Sequence, residues 1–280
     1  MERCCGLTRL VVADPLRQLP LQWQGQLTPL SGGSTNRSWQ LTTDSGRYWL
    51  RLGCEAPARL GINRHQELMA HHAAAQLGLA PAIHFAKPQH GILIVDWLNE
   101  PDWSHTPRDL VRLIPRLVQL HQLQPPWTRF DFGAHAQHYL KQLSPLSGEL
   151  KKFACYFTRS ALNLAFPAAL CHQDLNVSNL MGTRPWLIDW EYAALSDVAF
   201  ELAVLADSLG LEEAQARALV VNYQEAGGEM SWSRFQGRRP WVYWLTALWA
   251  ALQYAERTQS SYLTLQETAL AQLERSLLTL

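Results

Sequence analysis

The sequence has little of what marks a stapled, secreted or membrane-bound chain. Its five cysteines, Cys4, Cys5, Cys54, Cys155 and Cys171, are odd in number and form no C-x-x-C pair. No zinc or redox motif is indicated, and free thiols in a reducing cytoplasm are the simplest reading. A basic excess is also missing: 24 Lys+Arg face 24 Asp+Glu. That balance argues against a nucleic-acid partner, because phosphate neutralisation needs surplus cations. Charged residues are only 17% and hydrophobic residues 48%, which excludes a disordered tail. The most apolar segment, Trp241 to Leu252, falls short of the ~20 residues a membrane span needs. The start, with Glu2 and Arg3 before a short apolar stretch, carries no signal-peptide pattern. A cytoplasmic protein with no membrane partner is expected.

Tryptophan is the residue in excess, 12 against 8 Tyr and 8 Phe, and core filling is its plainest use. The spacing predicts two strands, Trp39–Thr43 and Arg47–Leu52, joined by a turn at Asp44-Ser45-Gly46. A helix should follow, capped by Asn63 with Gln66 closing a capping box and Gly78 ending it. Residues 91–97 read as a buried strand. From Thr106-Pro107 a helical repeat of Leu110, Leu113, Leu117 and Leu120 begins, interrupted by Pro115. Beyond Asp197 the chain reads as helix over 198–209, 212–226, 239–257 and 262–278. The expected organisation is α+β, a small strand-rich part over residues 1–97 and a larger, mostly helical part over 98–280.

Ionisable residues are densest in an apolar setting at Leu170-Cys-His-Gln-Asp-Leu-Asn-Val-Ser-Asn-Leu180 and Leu187-Ile-Asp-Trp-Glu191. The pattern is H-x-D-x4-N, a turn, then I-D-W. Phosphoryl transfer from ATP needs an acid that orients the acceptor hydroxyl and takes its proton, with oxygen ligands that hold Mg2+ against the phosphates. Asp174 suits the first role; Asn179 and Asp189 suit the second. A lone H-x-D is often only a turn held by its own side chains. Three such groups within twenty residues match the kinase catalytic loop and its metal-binding aspartate. A zinc site of Cys171, His172 and Asp174 is disfavoured, because no second ligand pair lies at metal spacing.

With these motifs the chain resembles the aminoglycoside phosphotransferase and choline kinase superfamily over most of its length. The resemblance implies a bilobal protein-kinase-like fold, with a small antiparallel-sheet N-lobe that binds nucleotide and a helical C-lobe that carries the catalytic loop. Leu30-Ser-Gly-Gly-Ser-Thr-Asn-Arg-Ser-Trp39 resembles the family's phosphate-covering loop, which implies roles for Ser31, Gly32, Gly33, Ser34 and Asn36. No G-x-x-x-x-G-K-[ST] is present, so a P-loop enzyme is not expected. Arg51 stands where the family has its strand lysine, and Glu67 where the pairing glutamate belongs. A guanidinium there is a departure, yet its fork can still bridge phosphate and carboxylate. Ile94 to Leu98 resembles the hinge whose backbone binds adenine, implicating Val95 and Trp97.

Within the superfamily Ile188-Asp-Trp-Glu-Tyr-Ala193 and Glu201-Leu-Ala are most similar to bacterial thiamine kinases. Choline kinases share an acid-aromatic motif and a W-x3-Q helix, matched by Trp249 and Gln253. Their further tryptophan is Thr246 here. A cationic acceptor needs a carboxylate and aromatic faces, for which Glu191, Trp190 and Trp249 are the candidates; a helical stripe of Trp241, Trp244 and Trp249 is equally expected of a packed core. His121, His172 and Asp197 read as scaffold, Asp197 as a helix cap. The expected function is an ATP- and Mg2+-dependent kinase acting on a hydroxyl of a small cationic metabolite, thiamine first. Choline, ethanolamine or an amino sugar is the alternative acceptor. A catalytically silent binding module is the rival from another class, and a protein kinase is disfavoured for want of an A-P-E segment.

Overall fold

A tight turn at Asp44–Ser45 joins β2 (Arg37–Thr43) to β3 (Gly46–Leu52), in antiparallel register from Thr43↔Gly46 to Arg37↔Leu52. Gly46 closes the turn at φ 143°, an angle that side-chain-bearing residues rarely adopt. In this computed structural model residues 15–30, 35–105, 108–159 and 165–278 are described. β1 (Gln26–Pro29) pairs with β2. β5 (Ile92–Asp96) is inserted between β3 and β4 (Ile83–Lys87), giving the order β1-β2-β3-β5-β4. Inward residues Leu41, Leu50, Ile92 and Ile94 pack with Leu19 and Trp23 as the core of this sheet. Trp23 meets the Tyr48 ring edge-on at 4.9 Å.

The remainder is mainly helical. α1 (Arg64–Gln76) starts at Asn63, whose side chain accepts from the backbone N–H of His65 and Gln66. Gln66 does not reciprocate as a capping box; its Nε2 donates instead to the Ala193 carbonyl, 3.0 Å away. α2 (Leu110–His121) is capped by Asp109, which accepts from Arg112 N, and Pro115 lies inside it. Thr106 and Pro107, where the sequence places the start, lie outside the described residues. α3 (Phe132–Leu140) and α4 (Gly148–Arg159) follow. The centre of this part is β6 (Ala168–Cys171) paired antiparallel with β9 (Ala194–Asp197), and the hairpin of β7 (Leu180–Met181) with β8 (Trp186–Leu187). α5 (Val198–Ser208), α6 (Glu213–Glu225), α7 (Trp232–Arg257) and α8 (Ser260–Leu278) complete it.

The chain divides into two compact units. One holds the sheet, with residues up to 54 and 84–97; the other holds residues 55–83 and 98–280. Residues 55–83, which the sequence reading grouped with the strands, cluster with the helices because Ala70 and Ala74 of α1 and Leu79 are wholly buried in the helical core. That core takes much of the tryptophan: Trp103, Trp190, Trp241 and Trp244 are each at most 1% exposed. Among the described residues no helix is long and apolar enough to cross a membrane.

Candidate active site

The catalytic turn is held between β6 and the β7–β8 hairpin. β6 ends at Cys171, and the chain reverses through Gln173, whose φ of 70° lies in the left-handed region. A non-glycine residue there costs on the order of 1–3 kcal/mol and persists only when its surroundings hold it. The holding contact is explicit. Gln173 N donates to Glu201 Oε2 at 2.6 Å, while Glu201 Oε1 lies 2.8 Å from His121 Nε2, and His121 Nδ1 lies 2.9 Å from the Tyr223 hydroxyl. His121, Cys171 and Glu201 offer ligand atoms within 4.8 Å of one another. Both imidazole nitrogens and both carboxylate oxygens are nevertheless spent on this chain of hydrogen bonds, and burial pushes the Cys171 thiol well up. The cluster therefore reads as a brace under the loop.

His172 is wholly buried and serves the loop from within. Asp174 N donates to its Nδ1 at 3.3 Å, so Nε2 carries the proton and donates to the Ile188 carbonyl at 2.8 Å. Burial holds the imidazole below its ordinary range, which keeps it neutral and in this tautomer. It is a scaffold, as its sequence context suggests.

Asp174, the residue expected to act as the base, lies at the centre of the turn's hydrogen bonds. Asn176 Nδ2 donates to its Oδ1 at 3.0 Å, and Asn179 Nδ2 donates to its Oδ2 at 2.9 Å and to its backbone carbonyl at 2.9 Å. Burial pushes the carboxyl up to about 6; the amides of Asn176 and Asn179 pull it down, and the nearby Glu191 charge adds to the rise. A carboxylate so poised is a competent proton acceptor near neutral pH. Because Asn179 spends its NH2 group on Asp174, its oxygen is the atom that remains for a hard cation.

The hairpin then brings in Asp189, the second residue expected to offer oxygen to a cation. Leu180 pairs with Leu187, Met181 with Trp186, and Ile188 N donates to the Asn179 carbonyl at 3.0 Å. Asp189 therefore follows directly beside Asn179, itself left-handed at φ 61°. One amide oxygen and one carboxylate are a hard-donor pair of the kind Mg2+ takes.

After Asp189 the chain forms a 3-10 turn over Trp190–Tyr192. Trp190 is fully buried, its ring 4.6 Å from that of His172 and its Nε1 donating to the Leu187 carbonyl at 3.0 Å. This corrects its assignment as an acceptor-site aromatic, since its face is spent on the scaffold. Trp249 is half-buried, and its Nε1 donates to the Tyr192 hydroxyl at 3.0 Å. Glu191 is buried and accepts from Arg64 NH1 at 3.0 Å; the same nitrogen donates to Glu67 Oε2 at 2.9 Å. Burial, followed by the charges of Glu191 and Asp174, raises the Tyr139 hydroxyl; burial likewise raises Tyr192, followed by Tyr139, Glu191 and Asp174. Both phenols stay neutral and mark the ground beside Asp174.

Asp174, Asn179, Asp189, Glu191, Trp249 and Glu67 thus all belong to the helical unit. Arg51, Val95 and Trp97 belong to the sheet unit: Arg51 on β3 is buried at 3% exposure, Val95 on β5 is buried, and Trp97 just beyond β5 is half-buried. Arg51 is therefore not a solvated strand end. Asn36 precedes β2, while Ser31, Gly32, Gly33 and Ser34 lie outside the described residues. Sequence reasoning missed Arg64, Asn176, Tyr139 and Tyr192. Asn176 and Tyr192 sit inside the quoted motifs; Arg64 and Tyr139 have no local signal.

A five-stranded sheet unit, a helical unit and a turn that carries Asp174, Asn179 and Asp189 are the features of a phosphotransferase of the protein-kinase-like class. The chain belongs to the phosphotransferase enzyme family, which its residues 26–241 match. A thiamine kinase of Salmonella paratyphi B is 26% identical over an alignment of 245 positions that covers 77% of this chain and 82% of that protein. Among solved structures, a choline/ethanolamine kinase family protein from Mesorhizobium loti superposes with a TM-score of 0.73 at 24% identity, covering 94% of this chain and 91% of that one. The choline kinase LicA from Streptococcus pneumoniae gives 0.77 at 17% identity over 89% and 94% of the two chains, and its complex with AMP gives 0.75. These structural likenesses speak for the fold.

Proposed function

We propose that this chain transfers the γ-phosphoryl group of ATP to a hydroxyl of a small cationic metabolite, with thiamine the preferred acceptor. The observation that carries the reading is the poised Asp174 carboxylate, bonded to the Asn179 amide at 2.9 Å and brought beside Asp189 by the β7–β8 hairpin. In this reading Asp174 orients the acceptor hydroxyl and takes its proton. Asn179 and Asp189 hold Mg2+, which when bound neutralises phosphate charge. Nucleotide-binding roles fall to Arg51, Asn36, the loop 31–34, Val95 and Trp97 of the sheet unit and to Glu67 of the helical unit. The AMP complex of the structural relative supports nucleotide use.

For the acceptor, support comes from the thiamine kinase relatives and from this chain's own groups. Glu191 supplies negative charge beside Asp174, while Trp249 and Tyr192 supply aromatic faces that replace water around a cation, each worth about 0.5–2 kcal/mol. Choline or ethanolamine is the second reading, favoured by the choline kinase fold neighbours and by the Trp249–Gln253 spacing. An ATP-consumption panel of thiamine, choline, ethanolamine, an amino sugar and an aminoglycoside separates them. Turnover greatest with thiamine supports the first reading, and consumption only with an uncharged sugar overturns the cationic acceptor.

A further inference from the structure

The motifs account for Glu191 and Glu67 but leave Arg64 unused, and Arg64 is where the two carboxylates meet. Its NH1 donates to Glu67 Oε2 at 2.9 Å and to Glu191 Oε2 at 3.0 Å. The three side chains are 6%, 2% and 3% exposed, so the triad is closed to water. Glu67, three residues on in α1, accounts for only one of the two carboxylate contacts of Arg64. Arg64 occupies the first helical position after the Asn63 cap, where the helix dipole favours negative charge and opposes a cation. The dipole thus opposes the residue, while Glu67 on the same helix and Glu191, 127 positions away in sequence, favour it.

The 3-10 turn 190–192 is fixed on one side by Trp190, whose Nε1 is bonded to Leu187 and whose ring rests on His172. Arg64 fixes the turn through its middle residue, Glu191. Tyr192, next in the chain, receives the Trp249 N–H at 3.0 Å. Gln66, two residues beyond Arg64, donates to Ala193 just past the turn. The first turn of α1 therefore grips the turn at two points.

We infer that Arg64 is a positioning residue for the acceptor: by holding the buried Glu191 it sets the turn that places Tyr192 beside Asp174. The inference rests on the proposed kinase reading, and it assigns to Arg64 an effect on acceptor binding that a nucleotide role, exerted through Glu67, would not produce. A lysine at this position keeps a positive charge between the two carboxylates. Lysine should therefore replace it in part.

The test uses the full chain and Arg64→Lys, Arg64→Met, Glu191→Gln and the double variant Arg64→Met/Glu191→Gln, with circular dichroism to establish folding. Wild-type turnover with thiamine or choline is measured first, and its absence from the whole acceptor panel overturns the kinase reading and this inference with it. Given turnover, Arg64→Met is expected to raise the acceptor KM by about tenfold or more, leaving kcat and the ATP KM within about threefold. Arg64→Lys should recover most of that loss. Adding Arg64→Met to Glu191→Gln should cost little more than Glu191→Gln alone, since both act through one contact. Should Arg64→Met fail to fold, Arg64→Lys decides the matter, with an acceptor KM raised about threefold at an unchanged ATP KM. An ATP KM that rises while the acceptor KM stays fixed, or losses that simply add in the double variant, would overturn the positioning role while leaving the kinase reading standing.

Discussion

Asp174 is surrounded by groups that tune it without replacing it. Burial raises its carboxyl to about 6, against the partial relief of two amide donors. An acid with a raised pKa is protonated, and so useless as a base, as pH falls through that value. At saturating MgATP the rate is expected to rise from pH 5 to a plateau above about 7, with a midpoint at about 6. A midpoint near 4, the ordinary carboxylate range, would contradict the desolvation argument. Asp174→Asn preserves shape and removes the base; kcat should fall by about 10²–10⁴ with the ATP KM little changed. Near-wild-type turnover would sink the role. The two tryptophans proposed for the acceptor now separate. Trp249→Ala should raise the acceptor KM by up to about thirtyfold, the upper end of one cation–π contact. Trp190→Ala should instead cost about 3–5 kcal/mol of stability, read by urea unfolding, because a fully buried indole leaves a cavity. At this scale Asp174, Asn179 and Asp189 were legible because the turn that gathers them is continuous in sequence. The Arg64–Glu191 contact was not, since a pair 127 residues apart leaves no spacing to read. Nor does sequence show which face of Trp190 is covered.

The elements follow local chemistry where that chemistry is complete. The β2–β3 hairpin is written in its turn residues, and Asn63 caps α1 as its side chain dictates. α7 shows the limit. The sequence reading starts that helix at Arg239, yet the helix runs from Ser231's cap at Trp232 through Pro240 to Arg257. Its apolar face, with Phe235, Trp241 and Trp244 buried, outweighs the one backbone bond that proline removes. α3 and α4 were not read at all. α3 holds nine residues, among them one glycine and two histidines, and is carried by burial of Phe132, Ala136 and Tyr139 rather than by propensity. α5 is the element on which the loop depends. Its cap Asp197 is wholly buried, accepts from Ala199 N at 2.9 Å and from Arg238 Nε at 2.7 Å, and is also bonded to Arg234. Arg238 in turn lies over the Phe132 and Phe166 rings at 4.8 and 5.0 Å. Asp197→Ala removes a cap and the carboxylate that faces a buried guanidinium, so about 3–5 kcal/mol should be lost in denaturant unfolding. A loss under 1 kcal/mol would mean that water or another acid replaces it.

For the whole molecule, two readings made from sequence meet different fates. The α+β class stands because alternating strands and amphipathic helices report directly on which faces are buried, and the kinase-like fold, implied by the resemblance of the catalytic-loop motifs, stands with it. The insertion of β5 between β3 and β4, and the packing of α1 with the helices, were out of reach; both depend on contacts between segments that carry no mutual signal in the chain. The neutral charge, 24 cations against 24 anions, suits an enzyme that meets a small metabolite and no polyanion. The central claim is phosphoryl transfer to a cationic alcohol, and the most direct measurement is MgATP consumption by the purified chain with each acceptor of the panel, with phosphorylated product identified by mass. The expected result is thiamine phosphate formed faster than any other product, and none formed by Asp174→Asn. ATP consumption confined to an uncharged sugar, or no transfer to any acceptor despite magnesium-dependent ATP binding, would contradict it.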